Sequence, residues 1–164
     1  MKKQIQLDIK FAILKDYSDV RFFDPHSKYI NPEKIRAKLQ NNEIIIAVKG
    51  FDIIGLIKFS YFWATRPFID LIYVKENQRN LGVGRKMLDY LENYLQSMNY
   101  SYLFSSAEER DEKAITWHEK NGFVKCGKVE CLNLPHDKTP EIFFYKRISK
   151  KSKGKDRLLT YPLE

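Results

Sequence analysis

The sequence predicts one α/β (α+β) domain built on a mixed, mostly antiparallel sheet of about six to seven strands, with a parallel βαβ crossover near the middle and flanking helices. Three observations predict it. Glu43 to Val48 and Ile53 to Trp63 are rich in β-branched and aromatic residues and flank the turn Lys49-Gly50-Phe51-Asp52, the pattern of an antiparallel hairpin. A nearly continuous apolar run, Phe68 to Val74, is followed by a long amphipathic segment and a second apolar run, Tyr102 to Ser106. Strand, helix and strand in that order imply a right-handed crossover and two parallel strands. The length, 164 residues, suits one compact domain and not a second.

In chain order, Gln4 to Leu14 reads as a first strand and Asp16 to Ile30 as an irregular, partly helical connection. Asn31-Pro32-Glu33 then supplies an N-cap, a proline at the first helical position and an early acid, opening a helix to about Gln40. After the hairpin, Thr65-Arg66-Pro67 makes a break before the central strand, whose one charged residue is Asp70. From Val83 the apolar residues Met87, Leu88, Leu91, Leu95 and Met98 recur at intervals of three and four, so a helix runs to about Asn99. A second helix spans about Asp111 to Asn121, with Ala114, Trp117, His118 and Asn121 on one face and Gly122 placed to cap it. Phe123 to Leu132 and Glu141 to Ile148 complete the strands.

The composition, 43% hydrophobic and 30% charged with 7 Gly and 6 Pro, excludes a chain dominated by disorder. No apolar run reaches the length of a membrane span, and the start lacks a signal-peptide core, so a cytoplasmic location without membrane association is expected. Of the net charge of +8, residues 146 to 164 carry +5, with 7 Lys/Arg against 2 acids. The domain is therefore placed at residues 1–148 and a basic tail at 149–164, a candidate surface for nucleic acid, an acidic protein or an anionic membrane, or simply a solvated end. Cys126 and Cys131 lie an odd number of positions apart in one predicted strand and read as reduced packing residues. His26 and His136 have no ligand spacing around them, and no metal is expected.

The informative segment is Gln78-Arg79-Asn80-Leu81-Gly82-Val83-Gly84-Arg85-Lys86, between the central strand and the long helix. A helix start offers unpaired N–H groups and the positive end of a dipole, and glycines let a phosphate approach the backbone. A Walker loop fails because Gly84 is followed by Arg85-Lys86-Met87, and a Rossmann fingerprint fails because position 87 is Met.

Arg79-x-x-Gly82-x-Gly84 resembles the Q/R-x-x-G-x-G/A signature of the GNAT N-acetyltransferase superfamily. The likeness extends to the strands on either side, and Ala114-Ile115-Thr116-Trp117-His118-Glu119-Lys120-Asn121-Gly122-Phe123 is similar to that family's A-x-x-F-Y-x-x-x-G-F helix. Matched elements cover about Phe68 to Phe123.

The resemblance implies acetyl-CoA as cosubstrate, lying between two splayed parallel strands. By position, Ile72, Tyr73 and Val74 would face its thioester and pantetheine arm, and Arg79, Asn80, Leu81, Gly82, Val83, Gly84 and Arg85 its pyrophosphate. Transfer would pass directly to a primary amine, without an acyl-enzyme, a backbone amide serving as oxyanion donor. An amine of pKa about 10.4 must first lose a proton, at a cost of about 4 to 5 kcal/mol at neutral pH. Asp70, expected to be buried, is the candidate base or water-orienting group, or else a structural hydrogen-bonding partner. His118 stands where the family commonly has the tyrosine that protonates the thiolate, and is either that acid or a packed core residue. Asp111 takes the place of an asparagine that contacts pantetheine, or caps its helix. The acceptor, a small molecule or peptide, would meet Phe22 to Tyr29 and Leu132 to Pro140. Two other readings stay open: a catalytically silent acetyl-CoA sensor, and an acetyltransferase whose protein or RNA acceptor is recruited by the tail. Either a monomer or a homodimer is compatible with the sequence.

Overall fold

The computed structural model describes residues 6–130 and 139–149. Cys131, His136, most of the segment from Leu132 to Pro140, and the basic tail from residue 150 lie outside them.

Local sequence signals set the helices. In α1 (Tyr17–Phe23) Val20 is the buried residue, and a 3₁₀ turn at Leu14–Asp16 leads into it. The N-cap of α2 (Pro32–Gln40) is Asn31, whose Oδ1 accepts from Glu33 N at 2.9 Å. In α3 (Val83–Ser97) Met87, Leu88, Leu91 and Leu95 are fully buried, as the spacing predicts, whereas Met98, expected on the same stripe, caps the helix and is exposed. Asp111 caps α4 (Glu112–Lys120), its Oδ1 accepting from Ala114 N at 2.9 Å.

The strands are β1 (Leu7–Phe11), β2 (Ile44–Lys49), β3 (Asp52–Phe62), β4 (Arg66–Val74), β5 (Tyr102–Glu108), β6 (Val124–Val129) and β7 (Glu141–Arg147). They form one sheet in the order β1-β2-β3-β4-β5-β7-β6. Among the described residues only β4 and β5 run parallel; every other neighbouring pair is antiparallel. This is the mixed sheet with one crossover that the sequence predicts.

Two cores cover the sheet. On one face α3 and α4 bury Ile45, Ile57, Phe59, Ile69, Leu103 and Phe144, with Ile72 and Val74 packed alongside. On the other, α1 and α2 cover Ile44, Ile46 and Leu56, with Leu71 against them. The central strand is thus apolar on both faces because both faces are covered. At Gly55 of β3 a Cβ would lie 2.8 Å from Met87 Cε, so α3 approaches the sheet more closely there than a side chain would allow. Lys146 of β7 pairs with Glu92 of α3, tying the last strand to the crossover helix.

Three sequence expectations are corrected. The break before the central strand is Trp63 to Thr65, and Arg66 and Pro67 belong to β4, paired with Phe62 and Tyr61. Pro67 is tolerated because it precedes the first β4 residue paired with β5, so its missing N–H breaks no bond on that side. The first strand is shorter than Gln4 to Leu14, since the chain turns into a 3₁₀ helix at Leu14. Cys126 is not a packing residue. It is exposed on the edge strand β6, at a register irregularity between Lys125 and Gly127, in a strand whose residues are all exposed.

Candidate functional site

The site begins with a defect in the sheet. Lys58 of β3 faces Leu71 and the next residue, Phe59, faces Ile69, so Asp70 is an extra residue on β4. Pairing with β5 consists of Phe68 with Phe104 and Ile69 with Ser105, and it ends where that bulge begins. Beyond this point Asp70 to Val74 run on without β5, leaving backbone groups of the central strand facing a gap. Ile72 and Val74 pack on the α3 side and Tyr73 on the other, with its ring 5.4 Å from Phe23.

The predicted anion loop stands at the end of this strand. A 3₁₀ turn, Glu76–Gln78, leads through Arg79 to Asn80 and Gly82, which have positive φ of 61° and 77°. The backbone amides of Asn80, Leu81, Gly82, Val83, Gly84 and Arg85 donate to no other described residue. Helix geometry explains three of these, since the first amides of α3 have no carbonyl a turn before them. A Cβ on Gly82 would meet nothing within 4 Å, so the loop opens outward. Gly84 lies against Trp117 and Val74, a Cβ there being 3.5 Å from Trp117 Nε1 and 3.7 Å from Val74 Cγ2. That contact joins α3, α4 and β4 at the mouth of the gap.

Charge surrounds the loop. Arg79 Nε donates to Val74 O at 3.1 Å, and its guanidinium lies 5.8 Å from the Tyr73 ring centroid. Arg85 pairs with Asp89 at 2.7 Å, one turn along α3. Leu81 and Lys86 are exposed.

His118 and Asp70 do not meet. His118 is buried, stacked on Phe144 at 4.6 Å and edge-on to Trp117 and Phe123. Its Nδ1 is 2.7 Å from Ala114 O and its Nε2 2.8 Å from Ser105 Oγ. Burial pushes the imidazole below its ordinary pKa, against smaller opposing effects of the Ala114 carbonyl and Asp111. Tyr61, pushed up to about 12 chiefly by burial, lies in the α3 core and is a poor proton donor.

Asp70 projects to the opposite, α2 side of the sheet. The expected burial is corrected: the bulge turns its carboxylate outward into an exposed position. Ser60 Oγ donates to Oδ1 at 2.5 Å, and Lys38 Nζ lies 2.9 Å from Oδ2. Lys38 also reaches Phe59 O at 2.6 Å and Glu43 at 3.3 Å. A pocket of about 260 Å³ opens beside Asp70, bounded by Ile30, Ile35, Lys38, Ile44 and Lys58. Lys58 is buried and bonded to Asp24 at 2.5 Å, and Asp24 also accepts from His26 N at 2.9 Å. The Phe22 to Tyr29 segment is therefore anchored to the wall of this pocket. Among the described residues no three His, Cys, Asp or Glu side chains cluster as a metal site requires, and no helix is long and apolar enough to cross a membrane.

The profile of the acetyltransferase (GNAT) family matches residues 11–123. The chain belongs to this family. No curated protein sequence matches it significantly. Among solved structures, a candidate streptothricin acetyltransferase from Bacillus anthracis str. Ames, in complex with acetyl coenzyme A, is 25% identical over 63% of this chain and 61% of its own, with a TM-score of 0.59. The ribosomal-protein-S18-alanine N-acetyltransferase of Escherichia coli shares the fold at 14% identity, covering 90% of this chain and 97% of its own (TM-score 0.74). So does a candidate acetyltransferase from Salmonella typhimurium with its cofactor acetyl-CoA, at 13% identity, 92% and 99% coverage and a TM-score of 0.75.

Sequence reasoning about this GNAT chain missed Ser105, Lys38, Ser60 and the Lys58–Asp24 pair. A signal existed for Ser105. In β5 the buried positions are Leu103, Ser105 and Ala107, so the serine is the one hydroxyl on the inward register of an apolar strand. Lys58 gave a weaker one, as a lone charge within the apolar β3.

Proposed function

We propose that this GNAT protein is an N-acetyltransferase that moves an acetyl group from acetyl-CoA directly to a primary amine. One observation carries the reading: six consecutive amides, Asn80 to Arg85, are unbonded beside a strand that has parted from its neighbour. A diphosphate satisfies such amides, aided by the α3 dipole and by Arg79. The parted strand offers an extended arm the backbone partners that β5 does not supply, as an added strand would use them. Ile72, Tyr73 and Val74 serve that role, and an amide of this stretch is the donor for the thioester oxygen as negative charge develops on it. Asp111 contributes as the cap that sets α4 in place.

The acceptor amine, on a small molecule or a peptide, enters from the α2 side. Asp70 orients it or a water beside it, in keeping with a carboxylate that is exposed, held by Lys38 and Ser60, and at the edge of a pocket. The Phe22 to Tyr29 segment lines the approach, Phe22 and Tyr29 being exposed.

Calorimetry with acetyl-CoA and an assay of thiol release across polyamines, amino acids, aminoglycosides and peptide N-termini test the proposal. Uptake of acetyl-CoA with amine-dependent thiol release is expected. Uptake without thiol release makes the protein a sensor, and no uptake ends the proposal.

A further inference from the structure

Ser105 and His118 form a closed hydrogen-bonded chain whose proton positions follow from chemistry alone. A carbonyl oxygen only accepts, so the bond between Nδ1 and Ala114 O places a proton on Nδ1. In the neutral ring Nε2 then carries a lone pair, and the bond at 2.8 Å is donated by the Ser105 hydroxyl. The surroundings favour that neutral state. Phe144 stacks on the ring, Trp117 and Phe123 close its edges, and Ser105 is 1% exposed and His118 3%. The charged groups nearby are Asp111 at the start of α4 and Lys146 of β7, which sits behind Phe123 and is paired with Glu92 of α3. Neither is hydrogen-bonded to the ring, whose bonds go to Ala114 O and Ser105 Oγ.

The place of this chain in the fold gives it meaning. Ser105 is the last β5 residue paired with β4, so its backbone stands at the root of the gap and its hydroxyl on the α4 side of it. A neutral imidazole with a bare Nε2 accepts a proton and has none to give from that nitrogen. On the acetyl-transfer reading above, on which this inference rests, one proton must leave the nitrogen and one must reach the sulfur.

We propose that Ser105 and His118 form a proton shuttle that takes the proton from the acceptor nitrogen and returns it to the sulfur. As the nitrogen bonds to the acetyl carbon, its proton passes to Ser105 Oγ and the serine's own proton moves to His118 Nε2. As the carbon–sulfur bond breaks, the sulfur takes a proton from Ser105, which recovers one from His118. An uncharged amine enters and a free thiol leaves, so no outside acid or base is consumed. His118 acts through Ser105 and is a positioning and proton-storing group.

Histidine-labelled full-length protein tests the resting state by ¹⁵N NMR, with His118→Gln assigning the His118 signals. The expected result is a proton on Nδ1, a bare Nε2 at pH 7 and a titration below the ordinary histidine range. Ser105→Ala removes the partner of Nε2 and should shift that titration, and Ser105→Thr, which keeps the hydroxyl, should leave it in place. A proton on Nε2, or an imidazolium at pH 7, overturns the assignment in the wild type, whatever the variants do. Thiol release from acetyl-CoA with a mixture of spermidine, L-lysine and a peptide with a free N-terminus tests the shuttle itself. Ser105→Ala should lower kcat by about 100-fold, shift the acidic limb of the pH profile and leave the calorimetric Kd for acetyl-CoA unchanged. If the wild type releases thiol and the limb stays put in Ser105→Ala, the shuttle fails and the transfer reading stands. If the wild type takes up acetyl-CoA and releases no thiol from the mixture, both fail together.

Discussion

Ile69 of β4 and Ser105 of β5 form the last parallel pair of the sheet, one residue before the bulge at Asp70. The bulge and the parting of the strands thus fall at one place. An extra residue turns and twists its strand, which carries the rest of β4 away from β5. The same residue turns Asp70 toward α2, while Ser105 faces α4. Two polar groups from neighbouring strands therefore flank the gap on opposite sides of the sheet.

Gly82 is required for its backbone conformation, and Gly84 for less. At φ of 77° a Gly82→Val side chain is strained although the space is open, so it should cost about 1 to 2 kcal/mol of stability. It should also weaken acetyl-CoA binding by about tenfold, or about 1.4 kcal/mol, through displacement of the loop amides. Gly84→Ala, whose Cβ makes only ordinary contact with Trp117 and Val74, should change stability by no more than about 0.5 kcal/mol. Urea unfolding and calorimetry measure both.

Arg79→Ala should raise the Kd for acetyl-CoA by about tenfold through loss of a guanidinium that both carries charge and fixes the end of β4. Arg79→Lys should recover only part of it, because a lysine cannot hold Val74 O while presenting a planar fork to an anion. Equal Kd values for Arg79→Lys and wild type would show that only charge matters.

The Lys58–Asp24 pair is buried, with side chains 5% and 0% exposed. Asp24→Ala leaves a lysine without a counter-charge and should cost about 3 to 5 kcal/mol. Asp24→Ala combined with Lys58→Met should cost less than Asp24→Ala alone, since the stranded charge is gone. A double variant that is the less stable of the two in urea would refute the account.

Asp70→Asn should raise KM for the acceptor more than it lowers kcat, and should leave acetyl-CoA binding unchanged. The amide keeps the shape and the Ser60 contact but loses the charge that meets Lys38. A fall in kcat at constant KM would instead make Asp70 a proton acceptor in its own right.

Stability should decline as pH falls below about 6.5, where histidine in the unfolded chain begins to bind a proton that buried His118 refuses. The sign follows from the depressed folded pKa: above this range both states are neutral and the group contributes nothing. Within the window the slope approaches about 1.4 kcal/mol per pH unit. His118→Gln should remove that component, seen as a smaller difference in unfolding free energy between pH 7.5 and 5.5.

Much of this was legible in local sequence. Asn31-Pro32-Glu33 announced the start of α2, the spacing from Val83 gave α3, and Arg79-x-x-Gly82-x-Gly84 marked the open amides, because caps, stripes and tight turns depend on residues a few positions apart. Asp70 was visible as a charge in an apolar strand, but its exposure was not. A bulge is a mismatch between two strands, and neither strand carries it alone. Ser105 and His118 are 13 residues apart and Asp24 and Lys58 are 34, so each pair came into view only with its bond.

The sequence by itself determined the order of strands and helices, the site of the crossover and the loop whose amides stay open, since each rests on periodicity or on the backbone freedom of glycine. Only the tertiary structure decided where β4 leaves β5, which way Asp70 turns, and that His118 is buried with Nδ1 against the Ala114 carbonyl and Nε2 against Ser105. Those outcomes depend on the register between strands and on desolvation by distant side chains, and both come into being when the sheet closes.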